Sequence, residues 1–320
     1  MGIKGYKAFG KGLICDPDGV AKQYKEHTTF EEDGDVDLGP CRKGVMHFCE
    51  DPFDVLRAYP LVNSDGEITE FAEVEAVGDV RNYKDQSITN KLHIGAKLNL
   101  KGFVKACVDF TIEKTKFEID KDGDSDISSG DSAQIGSSGD SAQIGSSGDS
   151  AKIGSSGDSA KIGSSGDYAK IGSSGDLAKI GSSGDYAKIG SSGDYAKIGS
   201  SGYYAQIGSS GDSAKIGSSG DSAKIGSSGD SAQIGSSGDS AKITSEGKNS
   251  VVMAAGFDSM AKAKIGSWIT LAEWVRVNDD DKTIWKPKCV KTEYVDGEKI
   301  KEDTFYKLID GEFKEVKEND

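Results

Sequence analysis

The sequence predicts a mostly β protein built on a parallel β-solenoid, with two nonapeptides per 18-residue coil, an N-terminal α+β domain before it and a β-rich cap after it. Three observations carry this reading. From residue 127 to residue 243, thirteen consecutive units follow the pattern Gly-Ser-Ser-Gly-Asp-Ser-Ala-Lys-Ile. Ala fills the seventh slot of every unit from Ala133 to Ala241, and Ile the ninth from Ile135 to Ile243. Outside this stretch the composition returns to that of an ordinary globular chain.

Ala at slot seven and Ile at slot nine are two residues apart, so an extended chain points both to one face. On that reading slots six and eight face outward. The Gly-Ser-Ser-Gly-Asp stretch is expected to turn the chain, with Gly supplying positive φ and Ser and Asp bonding local backbone. One unit cannot bury its Ala and Ile alone. Stacked units bury them on one another at a strand spacing of about 4.8 Å. Gly/Ser-rich tracts also occur as flexible linkers, but a linker has no reason to hold Ile and Ala in register for thirteen units. Nine residues are too few to enclose a core. Two inward positions per unit suit a thin roll of two units per coil better than a triangular coil of three, giving about six coils and a rod of roughly 30 Å.

The nonapeptide resembles the calcium-binding roll repeat, Gly-Gly-x-Gly-x-Asp-x-apolar-x. Here Asp follows Gly directly, as in Gly139-Asp140, and Lys or Gln stands three residues beyond each Asp. The shift moves the carboxylate off the ligand position, so turn capping is the expected role.

Slot six is the variable outward position. It is Ser at both ends of the array and becomes Tyr168, Leu177, Tyr186, Tyr195 and Tyr204 in the middle, while Tyr203 replaces the Asp of slot five. With two units per coil, Tyr168, Tyr186 and Tyr204 share one column and Leu177 and Tyr195 the other. An outward apolar belt is a candidate interface. A two-fold axis through Tyr186 would pair Tyr168 with the second copy's equivalent of Tyr204. A different protein could use the same face, or the rings could simply stabilise the sheet as cross-strand neighbours.

Residues 1–126 read as the small α+β domain. Asp51 and Pro52 open a helix as N-cap and N1, residues 70–77 alternate as a strand, and residues 99–116 place Leu100, Phe103, Val104, Cys107, Val108 and Phe110 near one helical face. That last helix is expected to cover the open end of the roll. In residues 244–320 the repeat breaks. Wider coils are expected to continue to about residue 270, with Trp268, Leu271, Trp274 and Trp285 closing the end and hairpin turns at Asp296-Gly297 and Asp310-Gly311. Charged residues on the last strands are expected to blunt the edges.

Several function classes are excluded or weakened. The net charge is −14, with −8 in residues 1–126 and −3 in each of the following two segments, so no segment offers nucleic acid a net basic field. The five cysteines, at 15, 41, 49, 107 and 289, are odd in number and scattered, which argues against a disulfide framework and for a reducing cytoplasm. The N-terminus lacks an apolar signal core, no run of apolar residues is long enough for a membrane span, and Tyr6 spoils a myristoylation motif at Gly2. Cys41, His47 and Cys49 have no zinc-finger spacing and no evident fourth ligand, so no metal is expected. There is no phosphate loop, no dinucleotide fingerprint and no Ser-His-Asp ordering, so no cofactor is expected and the protein reads as non-enzymatic.

Three segments carry a family resemblance: Gly5-Tyr6-Lys7-Ala8-Phe9, the run from Cys41 through Val45-Met46-His47-Phe48-Cys49 to Pro52, and Phe71-Ala72-Glu73-Val74-Glu75-Ala76. Together with the repeats they resemble an uncharacterised N-terminal domain of tailed-phage and prophage proteins that precedes Ser-Ser-Gly-Asp-x-Ala-Lys/Gln-Ile arrays. The resemblance implies a phage-encoded accessory protein in the host cytoplasm and supplies no activity. The leading expectation is a dimeric solenoid that binds a host protein, a defence component among the candidates. An ADP-ribosyltransferase-like N-terminal enzyme domain and a virion or adhesin structural role are the alternatives.

Overall fold

The computed structural model describes residues 2–15, 21–38, 44–61, 69–83, 86–115, 125–279 and 282–317. Its dominant element is the expected parallel roll. Strands of four residues recur every nine residues from Ser125–Ser128 to Val251–Ala254, followed by Met260–Lys262. They alternate between two sheets, eight parallel strands in each, so that each strand pairs with the one 18 residues on. The register is Ile on Ile: Ile153 lies over Ile171, and Ile162 over Ile180.

The strand frame differs from the sequence reading by two residues. Each strand is Lys/Gln-Ile-Gly-Ser, slots eight, nine, one and two, and the turn falls on slots three to seven. Alternation then carries the inward direction past Ile to the Ser of slot two. Each coil thus buries Ala, Ile and Ser, as in Ala160, Ile162 and Ser164, while Lys and the slot-one Gly face outward. The buried Ser Oγ atoms, Ser146 to Ser245 along the stack, have no hydrogen-bond partner among the described residues. In the final units Ala254 and Ala263 fill the same place, so the position requires small volume rather than a hydroxyl.

The turn works by different chemistry from that expected. Positive φ falls on slot six, from Ser132 (59°) to Ser240 (52°), and not on any repeat glycine. The slot-four glycines serve a close approach instead. A Cβ on Gly193 would stand 2.0 Å from the carbonyl oxygen of Gly175 in the coil before. The Asp of slot five does not bond its own turn. Its carboxylate accepts from the backbone N–H of the Asp 18 residues on, as Asp194 N–H to Asp176 Oδ1 and Asp212 N–H to Asp194 Oδ1, each at 2.8 Å. The slot-six N–H donates to the next coil's slot-five carbonyl, as Ser159 to Asp176 at 2.7 Å. The corners are therefore hydrogen-bonded as ladders along the stack, and each carboxylate acts as a cap for the coil above it.

The coils do not widen after residue 243. Val252 pairs with Ile234 and Ala261 with Ile243, both at the 18-residue spacing, and only Ile269 on Val252 shortens it to 17. These units lose the consensus yet keep Gly247 and Gly256 at the close approach, with Asn249 and Asp258 at positive φ. Both residue types tolerate that conformation. The C-terminal end is then closed by two antiparallel extensions, one per sheet. Trp268–Asp279 pairs with Lys282–Tyr294, and Tyr306–Ile309 pairs with Glu312–Glu315 across the expected turn at Asp310-Gly311. Asp296 instead caps an irregular turn, accepting from the N–H groups of Glu298, Lys299 and Ile300. Of the residues expected to close the end, only Leu271 enters the core. Trp268 and Trp285 are about half exposed, and Val295, Ile300, Phe305, Tyr306 and Leu308 are the buried closers.

The N-terminal domain holds a four-stranded antiparallel sheet in the order Ile3–Phe9, Glu70–Ala76, Lys91–Leu98, Thr28–Glu31, with helix α1 (Pro52–Ala58) and helix α2 (Leu100–Thr115). Asp51 caps α1 as the sequence predicts, accepting from Phe53 N–H at 2.8 Å. α2 does not cover the end of the roll. It lies along the flank, between the N-terminal sheet, where Phe103 stacks on Phe71 at 3.7 Å between centroids, and one of the two solenoid sheets.

The Gly193 contact and the slot-two hydroxyl generate opposite expectations for two neighbouring alanine substitutions. Gly193→Ala should destabilise by about 3 kcal/mol or more, because backbone and not a side-chain tip is in the way. Ser191→Ala should be neutral or stabilise by up to about 1 kcal/mol, because it removes an unpaired buried donor. Chemical denaturation of the two variants checks the pair.

Candidate functional site

Because inward slots are uniform, the roll can differ from place to place only in its outward columns. Two features stand out there: the unequal treatment of the two solenoid sheets, and the tyrosine corner.

One sheet, formed by the strands from Gln134–Ser137 to Met260–Lys262, is covered. Its slot-one glycines receive α2 one coil at a time. A Cβ built on Gly154, Gly172, Gly190 or Gly208 would meet Thr111, Val108, Val104 or Leu100 respectively, at 2.8–3.3 Å. Those helix positions advance by three or four residues per coil. That is a rise of about 5.5 Å against a coil height of about 4.8 Å, near enough for branched side chains to seat in successive glycine gaps. α1 lies beside α2 and takes the slot-eight column. Lys152 pairs with both Asp51 and Asp54. Lys170 donates to the Phe53 carbonyl at 2.9 Å and reaches Asp54 at 3.4 Å, Lys188 donates to the Leu56 carbonyl, and Gln206 accepts from Leu61 N–H at 3.3 Å. The Leu56 carbonyl that accepts from Lys188 lies in the last turn of α1, the end of a helix that attracts cations.

Burial tunes these lysines unequally. For Lys152 burial acts to lower the pKa, but hydrogen bonding and attraction from Asp51 and Asp54 outweigh it and hold the pKa above its ordinary value. For Lys170 burial wins over Asp54, and the pKa falls. At Lys188 burial first, then the charges of Lys170 and Arg57, bring the pKa down to about 8.

The other sheet, formed by the strands from Ser125–Ser128 to Val251–Ala254, is open. Among the described residues nothing stands within 4 Å of a Cβ built on Gly163, Gly181, Gly199 or Gly217. Lys161, Lys179, Lys197 and Lys215 are exposed beside them and form no ion pair among the described residues. Together with the glycines they line a long groove of about 1310 Å³.

The tyrosines sit at the corners rather than on a sheet face, because slot six is the left-handed residue of the turn. Tyr168, Tyr186 and Tyr204 stack at 5.0 Å between centroids, with planes within 8° of parallel. They adjoin the covered sheet. Tyr168 and Tyr186 line a cleft of about 900 Å³ whose other wall includes Arg57 and Phe110 of the N-terminal domain. Leu177 and Tyr195 occupy the opposite corner, leading into the open sheet. All five side chains are 43–59% exposed although φ lies between 55° and 59°. Tyr203 is also exposed, and it removes one carboxylate from the corner ladder, so no Asp side chain stands beneath the N–H of Asp221. The sequence places Tyr168, Tyr186 and Tyr204 in one column, and the stacked rings agree. It did not reveal the corner, because neither Ser nor Tyr marks positive φ.

Cys41 lies outside the described residues, and no group of three potential metal ligands occurs among the described ones. His47 and Cys49 are half-buried on the face opposite Met46 and Phe48, which enter the core. Burial first, then Asp54, pushes the Cys49 thiol up to about 12, and burial raises Cys107 well above its ordinary value, the reverse of an activated nucleophile. No described helix is long and apolar enough to cross a membrane.

Fold and surfaces define a β-solenoid protein carrying a docked α+β domain. Residues 3–106 match the family described as Domain of unknown function (DUF7666), a match confined to that docked domain and α2. Neither the curated proteins nor the solved structures contain a significant match.

Two outcomes follow from the covered sheet. Gly190→Leu, whose Cβ would stand 2.8 Å from Val104, should loosen the N-terminal domain, costing about 1–3 kcal/mol and raising hydrogen exchange in α2. Lys188 gives a pH dependence. Its folded pKa of about 8 lies below the ordinary 10.5, so between those values the unfolded chain binds the extra proton and stability rises with pH. The gain should be on the order of 1–2 kcal/mol, given partial solvent contact, and a Lys188→Met variant followed by denaturation from pH 7 to pH 10 should lose that slope.

Proposed function

We propose that the protein is a non-enzymatic binding scaffold whose solenoid pairs with a second copy at the Tyr186 corner and engages another protein. The observation that carries this reading is the conformational setting of the apolar corner residues. A bulky side chain at positive φ is unfavourable, by roughly 1 kcal/mol or more per residue. Stacking offsets part of that for the tyrosine column, at about 0.5–1.5 kcal/mol per pair. It does not account for Leu177, nor for Tyr203, which forfeits a rung of the Asp ladder. Residues that the fold would replace with Ser and Asp are supported by what they contact outside it.

A two-fold axis through Tyr186 would set Tyr168 against Tyr204 of the partner subunit, an isologous contact in which aromatic rings are the usual anchors. The cleft beside the column gives such a partner room. The resemblance of residues 1–115 and the repeats to tailed-phage and prophage proteins supports a host protein as the further partner, a defence component in particular, and a site of action in the host cytoplasm.

Light scattering tests the pairing. The wild-type chain should run at twice its 33.6 kDa mass and Tyr186→Ser at the monomer mass, with an unchanged circular dichroism spectrum. A monomer in both cases removes the dimer from this reading.

A further inference from the structure

We infer that the open sheet is a docking groove for an acidic amphipathic α-helix of a partner protein. The inference goes beyond the pairing at Tyr186 and does not require it.

The covered sheet supplies the template, since the same nonapeptide builds both sheets. On the covered side the slot-one glycines receive branched apolar residues of a helix at three- or four-residue spacing, and the slot-eight lysines receive carboxylates and carbonyl oxygens. The open side presents the same two columns with no occupant: four glycines with free space above them and four exposed lysines without ion pairs among the described residues.

The Lys/Gln choice at slot eight marks the footprint. On the covered sheet, Lys152, Lys170 and Lys188 are the coils that meet the Asp51–Leu56 segment, and Gln206 stands where a backbone N–H must be accepted instead. Against the 51–61 segment lysine thus meets carboxylates and carbonyls and Gln meets a donor, whereas Lys242, beyond that segment, lies over the Phe305 ring. On the open sheet the column reads Gln143, then Lys161, Lys179, Lys197 and Lys215, then Gln233. Four coils at about 4.8 Å span roughly 19 Å, the length of about thirteen helical residues. The apolar corner residues repeat the relation. Tyr168 and Tyr186 stand two residues before Lys170 and Lys188, beside the docked domain, and Leu177 and Tyr195 stand two residues before Lys179 and Lys197, at the middle of the open lysine run.

The occupant therefore carries Val, Leu or Thr at positions i, i+4, i+8 and i+11, with Glu or Asp flanking that stripe on the lysine side. Four lysines closely spaced along one column are mutually repulsive, and a row of carboxylates relieves that repulsion.

The test uses the full chain and a synthetic probe, the 99–115 segment with Lys101→Glu and Lys105→Glu, which keeps the apolar spacing that fits the glycine column. Fluorescence anisotropy should report binding to the wild type. Affinity should fall at least tenfold in Gly181→Leu, which fills the groove where a Cβ has open space, and at least tenfold in Lys179→Glu/Lys197→Glu. Both variants should melt as the wild type does. Tyr186→Ser should bind the probe unchanged, which separates this site from the pairing corner. The inference is overturned by no binding, by equal binding of a scrambled peptide of the same composition, by affinity insensitive to Gly181→Leu, or by capture of duplex DNA or anionic vesicles in place of the helix.

Discussion

The structure depends on one close approach. From Gly148 to Gly256 the slot-four glycine of each coil lies against the carbonyl of the glycine 18 residues earlier, so near that a Cβ would fall well inside van der Waals contact distance of the oxygen. Strand pairing sets the height of a coil, and glycine is the residue that fits this corner at that height. With the height set, Ile stacks on Ile, each slot-five carboxylate reaches the next coil's N–H, and slot six is forced to positive φ to return the chain to the opposite sheet. The units after residue 243 show the order of necessity. They give up the Asp, the Lys and even the Ile, as Lys248, Met260 and Ala261, and they keep Gly247 and Gly256 with Asn249 and Asp258 at the corner. The stack continues because its limiting contact is preserved.

A fold secured in this way leaves its outward columns free. Slots six, eight and one contribute little to the core, so each column can be written for a neighbour. α2 illustrates the consequence. It meets the roll lengthwise because one helical turn and one coil have similar rises, and glycine at slot one lets Val104 and Val108 approach the backbone directly. Any side chain there would hold the helix off and expose the Lys188 ammonium to water. The docked domain, in turn, must answer buried ammonium groups. Asp51 does so while also capping α1, and one side chain thereby couples the start of a helix to the seating of the domain. Lys188, answered by the Leu56 carbonyl and by no carboxylate among the described residues, is left with a depressed pKa.

How much of this could be read from the residues follows from what periodicity reports. Recurrence of Ile and Ala gave the register, the two sheets and the grouping of Tyr168, Tyr186 and Tyr204. It could not set the strand frame. An apolar pair at slots seven and nine is equally compatible with a strand over six to nine and with one over eight to two, because the deciding residue, the buried Ser of slot two, looks like turn chemistry. The same ambiguity hid the role of the glycines, since Gly in a turn suggests positive φ and here it serves contact. α2 was recognisable as an amphipathic helix, but an apolar stripe does not say whether it covers an end or a flank. That required the outward direction of the slot-one glycines. At the C-terminus the prominent tryptophans drew attention, whereas Val295, Ile300 and Tyr306 close the core from irregular segments with no period to betray them. The Lys-to-Gln changes at Gln206, Gln143 and Gln233 were visible throughout, and they acquire meaning only once Gln206 is seen accepting a backbone N–H.

Departures from the repeat are accordingly more informative than the repeat. In an array whose consensus already satisfies every corner, replacing Ser with Tyr or Leu at positive φ opposes the local preference of the backbone, and replacing Asp with Tyr203 removes a hydrogen bond worth about 1 kcal/mol. These changes do not scatter along the roll. They gather in its central coils, at the same level as the lysine runs of both sheets and the docked α1. Such clustering follows when an external contact, limited in extent and centred on the rod, acts against the preference of each corner; packing within the roll has no reason to distinguish its middle from its ends.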